Sequence, residues 1–302
     1  MLISGGTGFI GKALKSIVPG ARYIVRVNNN SNFEDAFFID DFNGVTKWDG
    51  AFEDIETVVH LAGVAHLRER EVTEYNSVNV LGTLNFANAA TSAGVKRFVF
   101  VSSIGVNGTS TCEFPFTYES LPCPHNPYAI SKYEAELGLK KIAEETGLEV
   151  VIVRPTLVYG PLAPGNFGML TKLVGKLSIL PFGLANNRRD FIAVQNLADL
   201  LLTCAVHPDA AGHTFLASDG ETVSIKQFTN AIAEGLGKKI IQLPVPVSLM
   251  RLAGKITGKR TMIEQLYGNL EVDSSNIKEV LGWTPPLTIK QAMAALRYTG
   301  QK

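Results

Sequence analysis

Cysteine is scarce in this chain of 302 residues: only Cys112, Cys123 and Cys204, an odd number at wide spacing. That pattern excludes a disulfide framework and offers no thiolate set for zinc, so reduced thiols and a cytoplasmic location are expected. No apolar run is long enough to span a bilayer, which argues against membrane insertion. A secretory leader is not expected either, because glycines at once interrupt the apolar start. Charge of one sign is also missing: 28 Lys and Arg balance 28 Asp and Glu. Bulk electrostatic binding to nucleic acid or to a membrane is therefore not expected. Internal repeats and low-complexity stretches are absent. What remains is 46% apolar and 19% charged, as in a globular protein able to bury a large core.

The first half alternates strand-like and helix-like segments, the mark of a parallel α/β sheet. Strands are expected at Met1–Ile3, Tyr23–Val27, Thr57–Leu61, Arg97–Ser102 and Glu149–Val153. Several are Val/Ile-rich without alternation, as when helices cover both faces. Helices are expected at Gly8–Val18, Thr73–Ser92 and Pro127–Thr146, the last with Asn126 as N-cap and Pro127 in its first turn. After Pro155 proline and glycine recur, and helix-like pieces follow at Asn196–Val206, Ile225–Gly235 and Val247–Leu252. The expectation is a Rossmann-type doubly wound sheet over residues 1–155. Residues 156–302 then form mainly a smaller C-terminal substrate-binding lobe, with segments returning to the sheet.

Two motifs carry the chemistry. Leu2-Ile3-Ser4 runs into Gly5-Gly6-Thr7-Gly8-Phe9-Ile10-Gly11, a strand, a glycine turn and a helix start. Glycine lets a pyrophosphate approach the backbone, and the helix N-terminus supplies N–H groups and partial positive charge. Gly5, Gly8, Phe9 and Ile10 are thus candidate dinucleotide contacts. At the end of the second strand an acid would accept ribose hydroxyls, but Arg26 stands there, before Val27 and Asn28-Asn29-Asn30. It either pairs with a 2′-phosphate, favouring NADP over NAD, or is a solvated surface arginine. Asp41 and Phe42 either flank the adenine or form an ordinary turn with a packed aromatic.

The second motif is Tyr128-Ala-Ile-Ser-Lys132. Four residues apart, the phenol and the amine share a helix face. A free tyrosine, with pKa near ~10, is a poor base at neutral pH. A neighbouring ammonium and a cationic nicotinamide are expected to lower it. Ser103, just past the strand Arg97–Ser102, is placed to bind the same substrate oxygen. His60, His66 and His125 are rival acid–base groups, of which His60 reads as a core histidine and His125 as structural or solvated. No metal-ligand spacing occurs.

With these residues in place, the chain resembles the extended short-chain dehydrogenase/reductase family, of the NAD-dependent epimerase/dehydratase type. Val59-His60-Leu61-Ala62-Gly63, Asn79-Val80-Leu81-Gly82-Thr83, Val153-Arg154-Pro155 with Tyr159-Gly160-Pro161, Arg189-Asp190-Phe191-Ile192-Ala193-Val194 and Leu281-Gly282-Trp283-Thr284-Pro285 resemble successive family segments. The resemblance implies that Ser103, Tyr128 and Lys132 are the catalytic trio. It places Leu61, Ala62, Gly63, Asn79 and Pro155, with Lys132, along the cofactor. Asn166 and Arg189 fall at the substrate diphosphate, although a loop asparagine and a structural salt bridge are the plainer readings of those two.

The run Thr214–Gly220 is similar to the bacterial subgroup containing UDP-glucose 4-epimerase-like proteins and UDP-4-keto-6-deoxy-N-acetylhexosamine 4-reductases, used in O-antigen and capsule assembly. Implied are a nucleotide-sugar substrate, C4 epimerisation with NAD(P), and a homodimer pairing through the Asn79 and Tyr128 helices. Tyr133, Leu137 and Ile142 are either on that face or in the core. An NADPH-dependent 4-keto-sugar reductase and a non-catalytic NADP-binding sensor are the alternatives. Three departures bear on the choice. Arg26 and Asn107-Gly108 stand where galactose epimerases have an aspartate and Tyr-Gly, and only Arg260 is on offer as a second diphosphate arginine.

Overall fold

The structure, a computed structural model, describes residues 1–28, 33–65, 72–258 and 260–299. His66 and the pair Asn29-Asn30 lie outside them. Seven parallel strands form one sheet in the order β10-β6-β5-β4-β1-β2-β3. They are β1 (Leu2–Ser4), β2 (Arg22–Arg26), β3 (Ala36–Ile39), β4 (Thr57–His60), β5 (Arg97–Val101), β6 (Glu149–Pro155) and β10 (Thr214–Ala217). The strand order reverses between β1 and β4, so their carboxyl ends diverge into a crevice, where ligands bind in doubly wound folds.

Helices cover both faces, which explains the unbroken apolar strands; every residue of β5 is buried. On one face α1 (Phe9–Ile17) and α6 (Val194–Val206) pack Leu14, Leu197 and Leu201 on Ile3 and Val99. On the other, α3 (Thr83–Ser92) and α4 (Pro127–Thr146) bring Phe86, Ala87 and Leu139 onto Val58 and Phe98. α4 has the expected bounds. Asn126 Oδ1 accepts from Ala129 N at 2.8 Å, and Gly147 ends the helix at φ 77°, where a side chain would be strained. The helix expected from Thr73 differs: α2 (Val72–Glu74) passes into a π-helical stretch, Tyr75–Gly82, before α3. Such wide turns cluster at functional sites, and this one carries Tyr75 and Asn79 inward, both buried.

Beyond β6 the chain builds a second cluster around Tyr159, Phe167, Phe191 and Phe228. Its elements are β7 (Leu157–Tyr159) paired with β9 (Phe191–Ala193), and β8 (Ile179–Leu180) paired with β11 (Ile241–Gln242). Helices α5 (Gly165–Lys176), α7 (Ile225–Gly235), α8 (Val247–Ile256), α9 (Arg260–Tyr267) and α11 (Ile289–Ala294) complete it, whereas α10 (Ser275–Leu281) packs Ile277 and Leu281 into the core of the main sheet. β10, from within this half, forms an edge of the main sheet beside β6.

Candidate active site

The glycine turn closes tightly on β4. Gly5 has φ 72°, and a Cβ there would lie 2.8 Å from Ala62 N; one at Gly11 would lie 2.3 Å from Gly5 O. Only glycine satisfies both the backbone angle and the approach. α1 begins at Gly8 with no side-chain cap and no acid in its first turn, so its positive end faces the crevice uncompensated. Phe9 and Ile10 are partly buried in opposite directions, Phe9 against the second cluster and Ile10 against the sheet core. The turn therefore fits a dinucleotide pyrophosphate.

Ser4 and His60 lock the two strand tips together. Ser4 Oγ accepts from both Leu61 N and Ala62 N at 3.2 Å, and lies 2.6 Å from His60 Nδ1. With two donors already received, the Ser4 O–H goes to Nδ1, which leaves Nε2–H to donate to Thr83 Oγ1 at 2.8 Å. Burial, with the charge of Lys132, pushes the imidazole pKa well down and keeps it neutral. His60 is thus a satisfied core histidine, whereas His125 is exposed and touches only Asn126 Nδ2 through its ring.

Asn79 clamps the next residues. Its Oδ1 accepts from Val64 N at 2.8 Å, and its Nδ2 donates to Val64 O and to Ser131 Oγ, each at 3.0 Å. Ser131 Oγ in turn donates to Tyr128 O at 2.8 Å. The amide is engaged on both ends, so it holds the Leu61–Val64 loop against α4.

The trio converges at the carboxyl end of β5. Ser103 Oγ accepts from Gly105 N at 3.1 Å and lies near enough to the Tyr128 phenol to lower its pKa. Lys132 is buried, with Nζ donating to Val101 O at 3.0 Å and lying 4.7 Å over the Phe100 ring. A Cβ on Gly63 would come within 3.2 Å of that Nζ, so the amine borders the cofactor loop. Of the two influences expected to lower Tyr128, the Lys132 ammonium is directed elsewhere. Burial pushes the phenol up to about 12, Tyr75 nearby adds to the rise, and Ser103 only partly offsets it. Lys132 gives no relief, because its ammonium is turned to Val101 O and burial brings its own pKa down to about 8.

Other candidates lie as follows. Arg26 ends β2 fully exposed, with no ion pair among the described residues. Asp41 is exposed. The Phe42 ring is buried, stacked on His60 at 5.2 Å and edge-on to Trp48 and Phe86, so it is a packed aromatic whatever else its backbone borders. Pro155 closes β6 and is buried. In the lobe, Arg189 is half-buried, its Nη1 donating to Gly268 O at 3.1 Å. Burial brings its pKa down to about 10, and among the described residues it has no ion-pair partner, so the salt-bridge reading fails. Asn166 is exposed at the start of α5, its Nδ2 3.5 Å from Gln265 Oε1. Arg260 opens α9 fully exposed, and no group of metal-ligating side chains occurs among the described residues.

Sequence reasoning missed Ser4, Tyr75 and Ser131. Tyr75 lies with its ring 6.2 Å from that of Tyr128. The signal for Ser4 and Ser131 was their position inside the two motifs; Tyr75 had only its spacing of four from Asn79.

The NAD dependent epimerase/dehydratase family pattern matches residues 1–218. The chain belongs to that family. A UDP-glucose 4-epimerase of Vibrio cholerae is 42% identical, over 96% of this chain and 92% of the relative. Among solved structures, a UDP-glucose 4-epimerase of Thermotoga maritima with UDP-glucose matches at 23% identity and TM-score 0.76, covering 99% of this chain and 98% of that one. A Pseudomonas aeruginosa protein complexed with NADPH matches at 22% and 0.74, covering 100% and 99%. These two establish the fold. As a family member the protein is an NAD(P)-dependent enzyme, and the uncompensated helix end and glycine turn fit that cofactor.

Proposed function

We propose that the protein is a nucleotide-sugar 4-epimerase acting on a UDP-hexose or UDP-N-acetylhexosamine. The carrying observation is 42% identity to the Vibrio cholerae UDP-glucose 4-epimerase along nearly the whole chain. In support, Ser103, just past β5, is close enough to the Tyr128 phenol to lower its pKa. When bound, NAD(P) supplies hydride acceptance and return. Tyr128 takes the proton of the C4 hydroxyl as the alcohol becomes a ketone and gives it back on reduction, with Ser103 holding the same oxygen. Lys132 orients the cofactor side of the site through the loop at Gly63. Arg189 and Asn166 grip the diphosphate, for which a half-buried guanidinium without a carboxylate is suited.

The expected setting is O-antigen biosynthesis in the cytoplasm. A homodimer would pair through α4, where Ile130, Tyr133 and Leu137 lie three and four residues apart with Ile130 and Leu137 exposed. Ile142, for which face and core were both open from the sequence, is in the core. The test is incubation with UDP-glucose, and separately with UDP-N-acetylglucosamine, without added cofactor, following the C4 epimer by proton NMR. Formation of the epimer supports the reading. Failure with every 4-hydroxy sugar, combined with NADPH oxidation by a 4-keto sugar, replaces it with the reductase.

Arg26 favours that second reading, since it is exposed and unpaired among the described residues where a 2′-phosphate would lie. A charge-assisted contact contributes roughly 1.5–3 kcal/mol. NADP should then bind roughly ten- to a hundredfold more tightly than NAD in wild type, with the preference lost in Arg26→Ala. Equal affinities in both proteins, measured by fluorescence titration, would show Arg26 to be a surface residue.

A further inference from the structure

The balanced total charge conceals an uneven distribution. Segments 161–189 and 235–263 contain ten of the 28 basic residues and none of the 28 acidic ones. They are joined in space, because α5 leads into β8, β8 pairs with β11, and β11 leads into α8. Some of these charges are engaged: Arg188 with Glu271, Arg251 with Glu264, and Lys238 with the Gly175 carbonyl. Lys172, Lys176 and Lys255 are exposed and have no ion-pair partner among the described residues.

The same elements expose apolar side chains in register with those lysines. On α5, Met169 and Leu173, with Leu177 just beyond, recur every four residues on the face that carries Lys172 and Lys176. Ile179 and Ile241 are register partners, 51% and 61% exposed. On α8, Val247 and Met250 pack inward, while Leu249, Leu252 and Ile256 form a second, outward stripe, with Ile256 76% exposed. Arg251 and Lys255, four apart, flank that outer stripe. A helix that only had to cover its own core would need one apolar face; α8 has two.

We propose that this face of the lobe is a docking surface for an anionic phospholipid bilayer. Lysine stems lie along apolar surface while their ammonium groups reach lipid phosphates, and leucine and isoleucine enter the headgroup boundary. Contact is superficial, since no helix among the described residues is long and apolar enough to cross a membrane. A second copy of the chain is the poorer occupant, because a two-fold contact places the patch against itself and like charges would meet without acids between them. Docking requires no particular sugar. Its consequence for substrate delivery rests on the proposed diphosphate grip: Asn166 and Gln265, on α5 and α9, border both.

The test uses the full chain and vesicles of phosphatidylcholine with about 30% phosphatidylglycerol, against pure phosphatidylcholine, by co-sedimentation. Partitioning should be at least roughly tenfold stronger on the anionic vesicles and should fall as salt rises. Lys172→Glu/Lys176→Glu/Lys255→Glu should abolish it, because each lost lysine removes roughly a fivefold factor. Leu252→Ser/Ile256→Ser should weaken it without changing turnover of a soluble nucleotide sugar. Equal partitioning on both vesicles, absence of binding, or no effect of either variant overturns the proposal. So does a change in the lipid-free sedimentation coefficient in Leu252→Ser/Ile256→Ser, which would show that another copy covers the face.

Discussion

Replacing Tyr128 with Phe should lower kcat by roughly 10²–10⁴, the range that one positioned acid–base group contributes. The ring remains, and with it the 6.2 Å contact to Tyr75. The backbone carbonyl that accepts from Ser131 is also unchanged, so α4 and the Asn79 clamp stay in place. Cofactor affinity should therefore change by less than about threefold while turnover collapses. A kcat within tenfold of wild type, with the same affinity, would remove Tyr128 from the reaction.

A second readout does not depend on turnover. In the cofactor-free protein burial holds the phenol at about 12, so the difference in alkaline absorbance between wild type and Tyr128→Phe should appear near that pH. Binding the oxidised dinucleotide places positive charge nearby and should move the titration to lower pH. An unmoved titration would mean that the cofactor does not approach the phenol.

The sheet was legible because strand and helix periods are local properties. After Arg97, β5 is Phe and Val alone because both its faces are covered, and α4 begins at Asn126-Pro127 and stops at Gly147 for reasons contained in adjacent residues. The trio was legible because two of its members are one helical turn apart. Long-range arrangements were not. Tyr128 and Lys132 share a face, but whether the ammonium turns to the phenol or to Val101 O depends on β5, 31 residues upstream. Phe42 follows a strand in the way an adenine-binding residue does, yet Trp48, His60 and Phe86 enclose its ring. Net charge averages over the whole chain, so the acid-free lobe segments disappear in the total. The helix from Thr73 has no proline, and its Gly82 stands only at the end of the π turns, so adjacent residues do not announce them; that stretch packs on α4.

Arg154 gives the largest expected change in stability. Its Nε donates to Glu136 Oε1 at 2.9 Å and its Nη2 to Oε2 at 2.5 Å, with both side chains almost wholly buried between α4 and β6. Nη1 donates to Asn107 Oδ1 at 2.9 Å. The fork satisfies the carboxylate, so the two charges compensate each other inside the core. Arg154→Met leaves the Glu136 carboxyl buried without its partner and should cost about 3–5 kcal/mol. The double variant Arg154→Met/Glu136→Leu removes both charges together and should recover most of that loss. Asn107 Oδ1 then lacks a donor, and its Nδ2 already has no partner among the described residues, so the double variant should stay less stable than wild type. Urea denaturation of the four proteins in the cycle measures the coupling. Additive single and double effects would mean that the pair is merely adjacent, whereas a double variant more stable than either single identifies the ion pair as the unit that must be kept or removed whole.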